Sequence, residues 1–135
     1  MKKVYLAMIV KDEAHCIERC LDSVKDFVDG YYIIDTGSTD DTVKVISDWW
    51  AENGVVYTEA AILHRYSWVD FASNRSQALR LARTFFQLKD SEDEYILMID
   101  ADEVLGWDKP KTAKDIAKIK KDLTADVYDI PTIMG

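Results

Sequence analysis

The chain has 135 residues, enough for one domain with a single core, and its 48% hydrophobic and 31% charged residues are typical of a folded globular protein. Its formal net charge of -8 argues against a nucleic-acid partner, because binding to a phosphate backbone depends on clustered Lys and Arg. In so acidic a protein, a site for a polyanionic ligand would need a metal ion.

The first predicted element is a buried strand, Val4–Val10, which ends at the charged Lys11. It lacks the small-residue cleavage site of a signal peptide, and no run in the chain approaches the ~18 apolar residues of a membrane span. Cys16 and Cys20 follow on a predicted helix and are too few for a structural zinc site or a disulfide framework. We therefore expect reduced, buried thiols, no membrane span and a cytoplasmic location.

Short apolar runs then alternate with amphipathic stretches, the pattern of βαβ units and of a mostly parallel sheet flanked by helices. The next predicted elements are a helix over 17–28 stopped by Gly30, a strand Tyr31–Ile34 ending at Asp35, a helix with the buried stripe Val43, Ile46 and Trp50, and a strand Val55–Tyr57. After them come a loop Ile62–Trp68, a helix with the core-facing stripe Phe71, Arg75, Ala78, Leu79, Ala82, Phe85 and Phe86, a strand Tyr95–Ile99, a basic helix over 109–121 and a strand Val127–Ile130.

A polar turn, Asp35-Thr-Gly-Ser-Thr-Asp-Asp-Thr, separates the second strand from the second helix. Gly37 permits a tight turn there. Ser38, followed by the acidic Asp41, is predicted to form a capping box for the helix.

Two carboxylate positions fall at the carboxyl ends of predicted strands, where ligands bind in open α/β sheets. A turn after Tyr95–Ile99 would present Asp100 and Asp102 to one hard cation, although an isolated Asp-x-Asp is equally consistent with a polar strand end. Asp35 and the N–H groups beside it suit a base and a ribose, although the same residues are good turn and cap formers. Together the two positions predict one shared crevice.

Five segments of the chain form an ordered set that covers residues 4 to 105. They are Met8-Ile-Val-Lys-Asp-Glu-Ala, Cys20-Leu-Asp-Ser-Val, Ile34-Asp-Thr-Gly-Ser-Thr-Asp-Asp-Thr, Trp68-Val-Asp-Phe-Ala-Ser-Asn-Arg and Ile96-Leu-Met-Ile-Asp-Ala-Asp-Glu-Val-Leu. In this order they resemble the N-terminal half of a family 2 glycosyltransferase with a GT-A fold. The resemblance implies a Rossmann-like nucleotide-binding domain and an inverting, metal-dependent transfer from a nucleotide sugar, expected to be a UDP-sugar, to an unknown acceptor.

The same resemblance implies the site residues. Asp100 and Asp102 are expected to hold Mn²⁺ or Mg²⁺, which neutralises the UDP leaving group. Arg75 is expected near the base or the diphosphate. The full implied set of nucleotide-binding residues is Val10, Asp35, Asn74, Arg75, Asp100 and Ala101.

The resemblance fails after the metal motif. In that family the catalytic base and the acceptor-binding elements lie well beyond it, whereas 33 residues follow Asp102 here. Asp126 and Asp129 are more consistent with solvated strand edges, Trp107 is a candidate sugar platform, and His64 is a weaker candidate on the donor side. We therefore expect a single domain over residues 1–135, truncated or part of a longer protein, that binds donor and by itself transfers sugar poorly.

Two other functions remain open on sequence. A haloacid-dehalogenase-like phosphatase fits Asp100-Ala-Asp-Glu-Val, with Asp100 as the nucleophile, but leaves residues 34 to 75 unexplained. A non-catalytic module that binds nucleotide sugars fits all five segments equally well. A dinucleotide-dependent dehydrogenase is excluded, because Val10-Lys-Asp-Glu-Ala lacks the Gly-x-Gly-x-x-Gly phosphate cradle.

Overall fold

The computed structural model describes residues 3–55, 61–88, 94–105, 113–121 and 132–134. The strands in these ranges are β1 (Lys3–Val10), β2 (Gly30–Asp35), β3 (Ala61–Arg65), β4 (Glu94–Met98), β5 (Glu103–Leu105) and β6 (Thr132–Met134). The helices are α1 (Ile17–Val24), α2 (Thr42–Glu52), α3 (Phe71–Phe85) and α4 (Ala113–Lys121). The predicted α/β class is confirmed.

Strands β1 to β4 form one parallel sheet in the order β3-β2-β1-β4. In its register Val10 lies opposite Asp35, and Asp35 lies opposite Arg65, so three strands end at the same edge. The chain adds β2 and β3 on one side of β1 and then crosses to add β4 on the other. The sheet therefore has a topological switch point beside β1, and ligands of such sheets bind in the crevice at that point.

Helices cover both faces of this sheet, which explains why its inner strands are apolar along their whole length. All six residues of β2 are buried. On one face, Leu21 of α1 and Ile46 of α2 pack with Leu6 of β1, and all three side chains have 0% exposure. Each such burial contributes about 1.5–3 kcal/mol to folding. The core thus fixes the strand ends that carry the polar residues.

The other face is covered by α3, and its predicted core-facing stripe is partly wrong. Three members of that stripe, Phe71, Arg75 and Leu79, are exposed. The buried residues of α3 are Asn74, Ala78 and Ala82. The two alanines pack with residues of β1 and β2, and their small side chains bring the helix close to the sheet. Large apolar residues on α3 are therefore left facing outward.

The predicted position of the third strand is also wrong. Val55 lies outside any strand, and Val56 and Tyr57 fall outside the described residues. The strand that pairs with β2 is Ala61–Arg65, most of which was predicted to be a loop, so His64 lies in a strand. Ala61 is fully buried, and the polar His64 and Arg65 at its other end obscured the apolar pattern.

Beyond β4 the structure adds a small antiparallel pair, β5 with β6, that the sequence did not predict. The predicted strand Val127–Ile130 lies outside the described residues. Cys16 and Cys20 are free and buried, as predicted. Among the residues described, no helix combines the length and the apolar character needed to cross a lipid bilayer.

Candidate functional site

A cleft of about 230 Å³ lies at the switch point of the sheet. It is lined by Ile9, Val10, Lys11, Glu13, Thr36, Trp68, Phe71, Asp100, Ala101 and Asp102. A larger groove, of about 570 Å³, runs along the outer side of α3 and has no acidic residue in its lining. Of these two cavities, the smaller cleft is the one whose lining contains carboxylates able to bind a cation.

The acidic part of the cleft is a tight turn between β4 and β5, here called the acidic turn (residues 100–103). The N–H of Asp100 donates to Glu103 Oε1 at 3.0 Å, and the N–H of Glu103 donates to the Asp100 carbonyl at 3.0 Å. Carboxylate oxygens of Asp100, Asp102 and Glu103 all lie within 4.8 Å of one another. Three close carboxylates are suitable ligands for a hard divalent cation such as Mg²⁺ or Mn²⁺.

The electrostatics of the turn favour a cation. Burial raises the pKa of Asp100, and the neighbouring charges of Glu103 and Asp102 raise it further. Arg75 acts in the opposite direction and lowers the pKa of Asp100. The negative charge of Asp100 is thus costly without a positive partner, and a bound cation would relieve that cost.

Helix α1 supports the acidic turn from behind. The Cys20 thiol donates to the Asp100 carbonyl at 3.6 Å. Ser23 Oγ accepts from the N–H of Leu105 at 2.9 Å and donates to the Cys20 carbonyl at 2.6 Å. The segment Cys20-Leu-Asp-Ser-Val therefore has a structural explanation, because it binds the first residue of the acidic turn and the last residue of β5.

The two loops on the other side of the cleft are linked to each other. Asp12, at a left-handed φ of 52°, accepts through Oδ1 from the N–H of Thr39 at 2.6 Å and of Asp40 at 3.3 Å. Ser38 Oγ in turn accepts from the N–H of Asp12 at 2.9 Å. The predicted capping box is therefore wrong. Ser38 is engaged with the first loop, and Asp41, the residue preceding α2, makes no side-chain cap.

Asp35 ends β2 and is completely buried. Its Oδ1 accepts from the N–H of Gly37 at 2.9 Å and of Ser38 at 2.8 Å, which shapes the turn. Its Oδ2 has no hydrogen-bond partner among the described residues. Asp35 is not part of the cleft lining, whereas the adjacent Thr36 is. The side chain thus has both a structural role and one unused acceptor.

Val10 is the last residue of β1 and lines the cleft, and its role in nucleotide binding stays a prediction. Its carbonyl accepts from the N–H of Thr36 at 3.0 Å and from Thr36 Oγ1 at 3.2 Å. These bonds hold the ends of β1 and β2 together at the base of the cleft.

Asn74 and Arg75 lie at the start of α3 but face different surroundings. The Asn74 side chain is 2% exposed and binds backbone groups of the preceding loop. Arg75 is exposed, and its guanidinium lies 5.7 Å from the centre of the Phe71 ring. Neither residue lines the cleft, although Arg75 acts electrostatically on Asp100. Nucleotide binding by these two residues stays a prediction.

A second set of possible metal ligands, Glu13, His15 and Cys16, lies just before α1. The Cys16 thiol already donates to Glu13 Oε2 at 3.0 Å, so these two groups satisfy each other without a metal ion. Asp126, Asp129 and Trp107 lie outside the described residues, as does the side chain of His64.

Glu103, Asp12 and Trp68 are among the residues in or beside the site that sequence reasoning did not single out. Glu103 completes the group of carboxylates and could have been found, since it directly follows Asp102 in a polar run. Asp12 and Trp68 were quoted only as parts of motifs. No local sequence pattern predicts the hydrogen bonds of Asp12 or the position of Trp68 in the cleft, because both depend on contacts between segments far apart in the chain.

Comparison with known proteins gives a consistent result. The family model for glycosyl transferase family 2 matches residues 5–130. A TPR repeat-containing protein of Synechococcus elongatus is 38% identical over 118 residues, which are 85% of this chain and 25% of that protein. Uncharacterized glycosyltransferases of Rickettsia felis and Rickettsia prowazekii are 32% and 30% identical over 106 residues, which are 78% of this chain and 31% and 30% of those proteins. The chain thus spans between a quarter and a third of the length of these relatives.

Proposed function

The chain belongs to glycosyl transferase family 2, and on that premise we propose that it binds a nucleotide-diphosphate sugar, a UDP-sugar, through Mn²⁺ or Mg²⁺ held by Asp100 and Asp102. The reaction we propose is an inverting transfer of the sugar to an acceptor. The observation that carries the proposal is the group of three carboxylates within 4.8 Å, two of which, Asp100 and Asp102, line the cleft at the switch point.

The acidic turn has the chemistry that a diphosphate site requires in this protein. The chain has a net charge of -8, and the cleft lining contains one basic residue, Lys11, against three acidic ones. Such an acidic surface repels a diphosphate unless a bound cation bridges the carboxylates and the phosphate groups. Asp102 is exposed and available as a ligand, and Asp100 is placed by its bonds to Glu103 and Cys20. The turn is therefore organised before any ion arrives.

The nucleoside would lie on the opposite side of the cleft, toward Val10, Thr36 and Asp35. The free Oδ2 of Asp35 supports this placement, because buried polar groups almost always have a partner and an N–H or O–H of the nucleoside would supply one. Since Asp35 is fully buried, that contact requires a local opening beside Thr36.

Asp100 and Asp102 would hold a divalent cation, and that cation would supply electrostatic stabilisation to the diphosphate leaving group. Arg75, whose positive charge already acts on Asp100, adds to the stabilisation of the leaving group. The general base that accepts the acceptor's proton is not assigned to any described residue.

The test is to incubate the protein with radiolabelled nucleotide sugars and Mn²⁺, with and without sugar and peptide acceptors, and to measure released and transferred sugar. Because the chain by itself is expected to transfer sugar poorly, we expect slow release of sugar from the donor. That release should be lost with a chelator and weakened in Asp102→Asn by about 10-fold or more, the effect of one charged contact. The matched control is Asp48→Asn, an exposed carboxylate of α2 paired with Lys44, which should behave as wild type.

The outcomes separate the alternatives. Metal-dependent turnover of the donor, seen as released or transferred sugar, supports the transferase. Metal-dependent binding with no turnover would support the non-catalytic module instead. Hydrolysis of a simple phosphoester with no use of nucleotide sugars would support the phosphatase, a function that leaves the match over residues 5–130 without explanation.

A further inference from the structure

Trp68 is a large aromatic residue in an unusual position. Its side chain is 49% exposed, and it lines the same cleft as Asp100 and Asp102. An indole ring left half open to water forgoes much of the free energy that its burial would provide. A ring in this position gains that free energy only when a ligand covers it.

The backbone around Trp68 is fixed by one buried side chain. Asn74 Oδ1 accepts from the N–H of Val69 at 2.9 Å, and Asn74 Nδ2 donates to the carbonyl of Ser67 at 3.2 Å. The residues on both sides of Trp68 are therefore tied to the same amide. Asp70 then caps α3 by accepting from the N–H of Ser73 at 2.7 Å. A loop held this firmly presents its ring with little further loss of entropy on binding.

The path of the chain places this loop on the nucleoside side of the cleft. The N–H of Tyr66, just after β3, donates to the Asp35 carbonyl at 3.0 Å. Trp68 follows two residues later and lines the cleft together with Thr36 and Val10. In a nucleotide sugar the base and the transferred sugar lie on opposite sides of the diphosphate. A ring beside Asp35 and Thr36 is therefore suited to the base.

We propose that Trp68, fixed by Asn74 beside the end of β2, is the surface on which the nucleobase of the donor stacks. This inference rests on the proposed function and deepens it. Every base has a flat face, so stacking on Trp68 contributes affinity while the choice of base depends on hydrogen bonds elsewhere in the site. Loss of one such stacking contact weakens binding by about 5- to 150-fold.

The experiment is calorimetric titration of the protein with uridine, with UDP and Mn²⁺, and with UDP-glucose and Mn²⁺. We expect Trp68→Ala to weaken the binding of all three ligands by the same factor, within the range of about 5- to 150-fold. Trp68→Phe, which keeps a flat ring, should retain most of the affinity. The control Val69→Ala changes a neighbour that is 68% exposed and outside the cleft lining, and it should bind as wild type. Thermal unfolding of each variant checks that it is folded.

The possible results are distinct. If wild type binds uridine and UDP and Trp68→Ala binds them equally well, the stacking inference is overturned and the proposed function stands. If Trp68→Ala weakens UDP-glucose but neither uridine nor UDP, Trp68 contacts the sugar and the assignment to the base is wrong. If wild type binds no nucleotide at all, both proposals fail.

Discussion

Replacing Asp35 with Asn separates the structural role of this residue from its proposed contact with the nucleoside. Asn keeps one oxygen that can accept from the N–H groups of Gly37 and Ser38, which now donate to Oδ1 at 2.9 and 2.8 Å. It replaces the unpaired Oδ2 by an NH₂ group, which is a donor. A nucleoside N–H that approaches this position would then meet a donor and not an acceptor.

The expected loss of nucleoside affinity in Asp35→Asn follows from these contacts. A hydrogen bond to a charged group contributes about 1.5–3 kcal/mol, so Asp35→Asn should weaken uridine and UDP by roughly 10- to 150-fold. Asp35→Ala is a less specific test, because it leaves the N–H groups of Gly37 and Ser38 in the turn without their acceptor. At about 0.5–1.5 kcal/mol for each of these part-buried bonds, that loss is a measurable part of a typical total stability of about 5–15 kcal/mol.

The assay is calorimetry with uridine and with UDP and Mn²⁺, combined with thermal unfolding of both variants. We expect Asp35→Asn to unfold near the wild-type temperature but to bind nucleoside weakly, and Asp35→Ala to lose stability as well. If Asp35→Asn bound uridine as tightly as wild type, Asp35 would serve the turn alone and the proposed contact would be refuted.

Three further predictions concern the groups around the cleft. Asp12→Ala removes the acceptor for the N–H groups of Thr39 and Asp40, at a left-handed φ that Asp tolerates better than Ala. Chemical denaturation should therefore show a free energy of unfolding lower by about 0.5–1.5 kcal/mol, whereas Asp12→Asn should retain most of the stability. Burial raises the pKa of the Cys20 thiol from 9.0 to about 12. Above 9.0 the unfolded chain therefore loses this proton before the folded one does, and the Cys20 thiol alone should lower the free energy of unfolding by about 1.4 kcal/mol per pH unit up to about 12. The pKa of Cys16 is also raised to about 12 and adds to this slope, which Cys20→Ala should reduce. Because burial raises the pKa of Asp100, protons should compete with Mn²⁺ at a higher pH than at an ordinary Asp, and calorimetry should show Mn²⁺ affinity falling on acidification; an affinity independent of pH would contradict a role for Asp100 as ligand.

The sheet was predictable where strands are buried on both faces. β1 and β2 are continuous apolar runs, and that pattern identified both strands to within a residue or two. β3 was misplaced because its second half, His64-Arg65, is polar and only its pairing with β2 reveals it as a strand. The outward-facing Phe71 and Leu79 of α3 were assigned to the core for a related reason, since apolar spacing alone does not show which side of a helix meets the sheet.

The candidate site was predictable in part. A carboxylate pair at the end of a buried strand gave the location of Asp100 and Asp102, and the structure places both on the cleft. Ser38 was misassigned to a local cap because its actual partner, the N–H of Asp12, is 26 residues away in sequence. The hydrogen bonds from Asn74 to the loop before α3 were likewise not predictable. A motif shows that an Asn stands at position 74, but it does not show which backbone groups that side chain binds.

The central claim is that the acidic turn binds a diphosphate through a cation, and one set of calorimetric titrations tests it most directly. UDP and uridine are titrated into wild type and Asp102→Asn, with Mn²⁺ and with a chelator, and Asp48→Asn serves as the control. The account predicts that UDP binds wild type and the control more tightly with Mn²⁺, that Asp102→Asn loses most of this gain, and that uridine, which has no diphosphate, binds equally under all conditions. Equal affinity of wild type for UDP with and without metal would contradict the account.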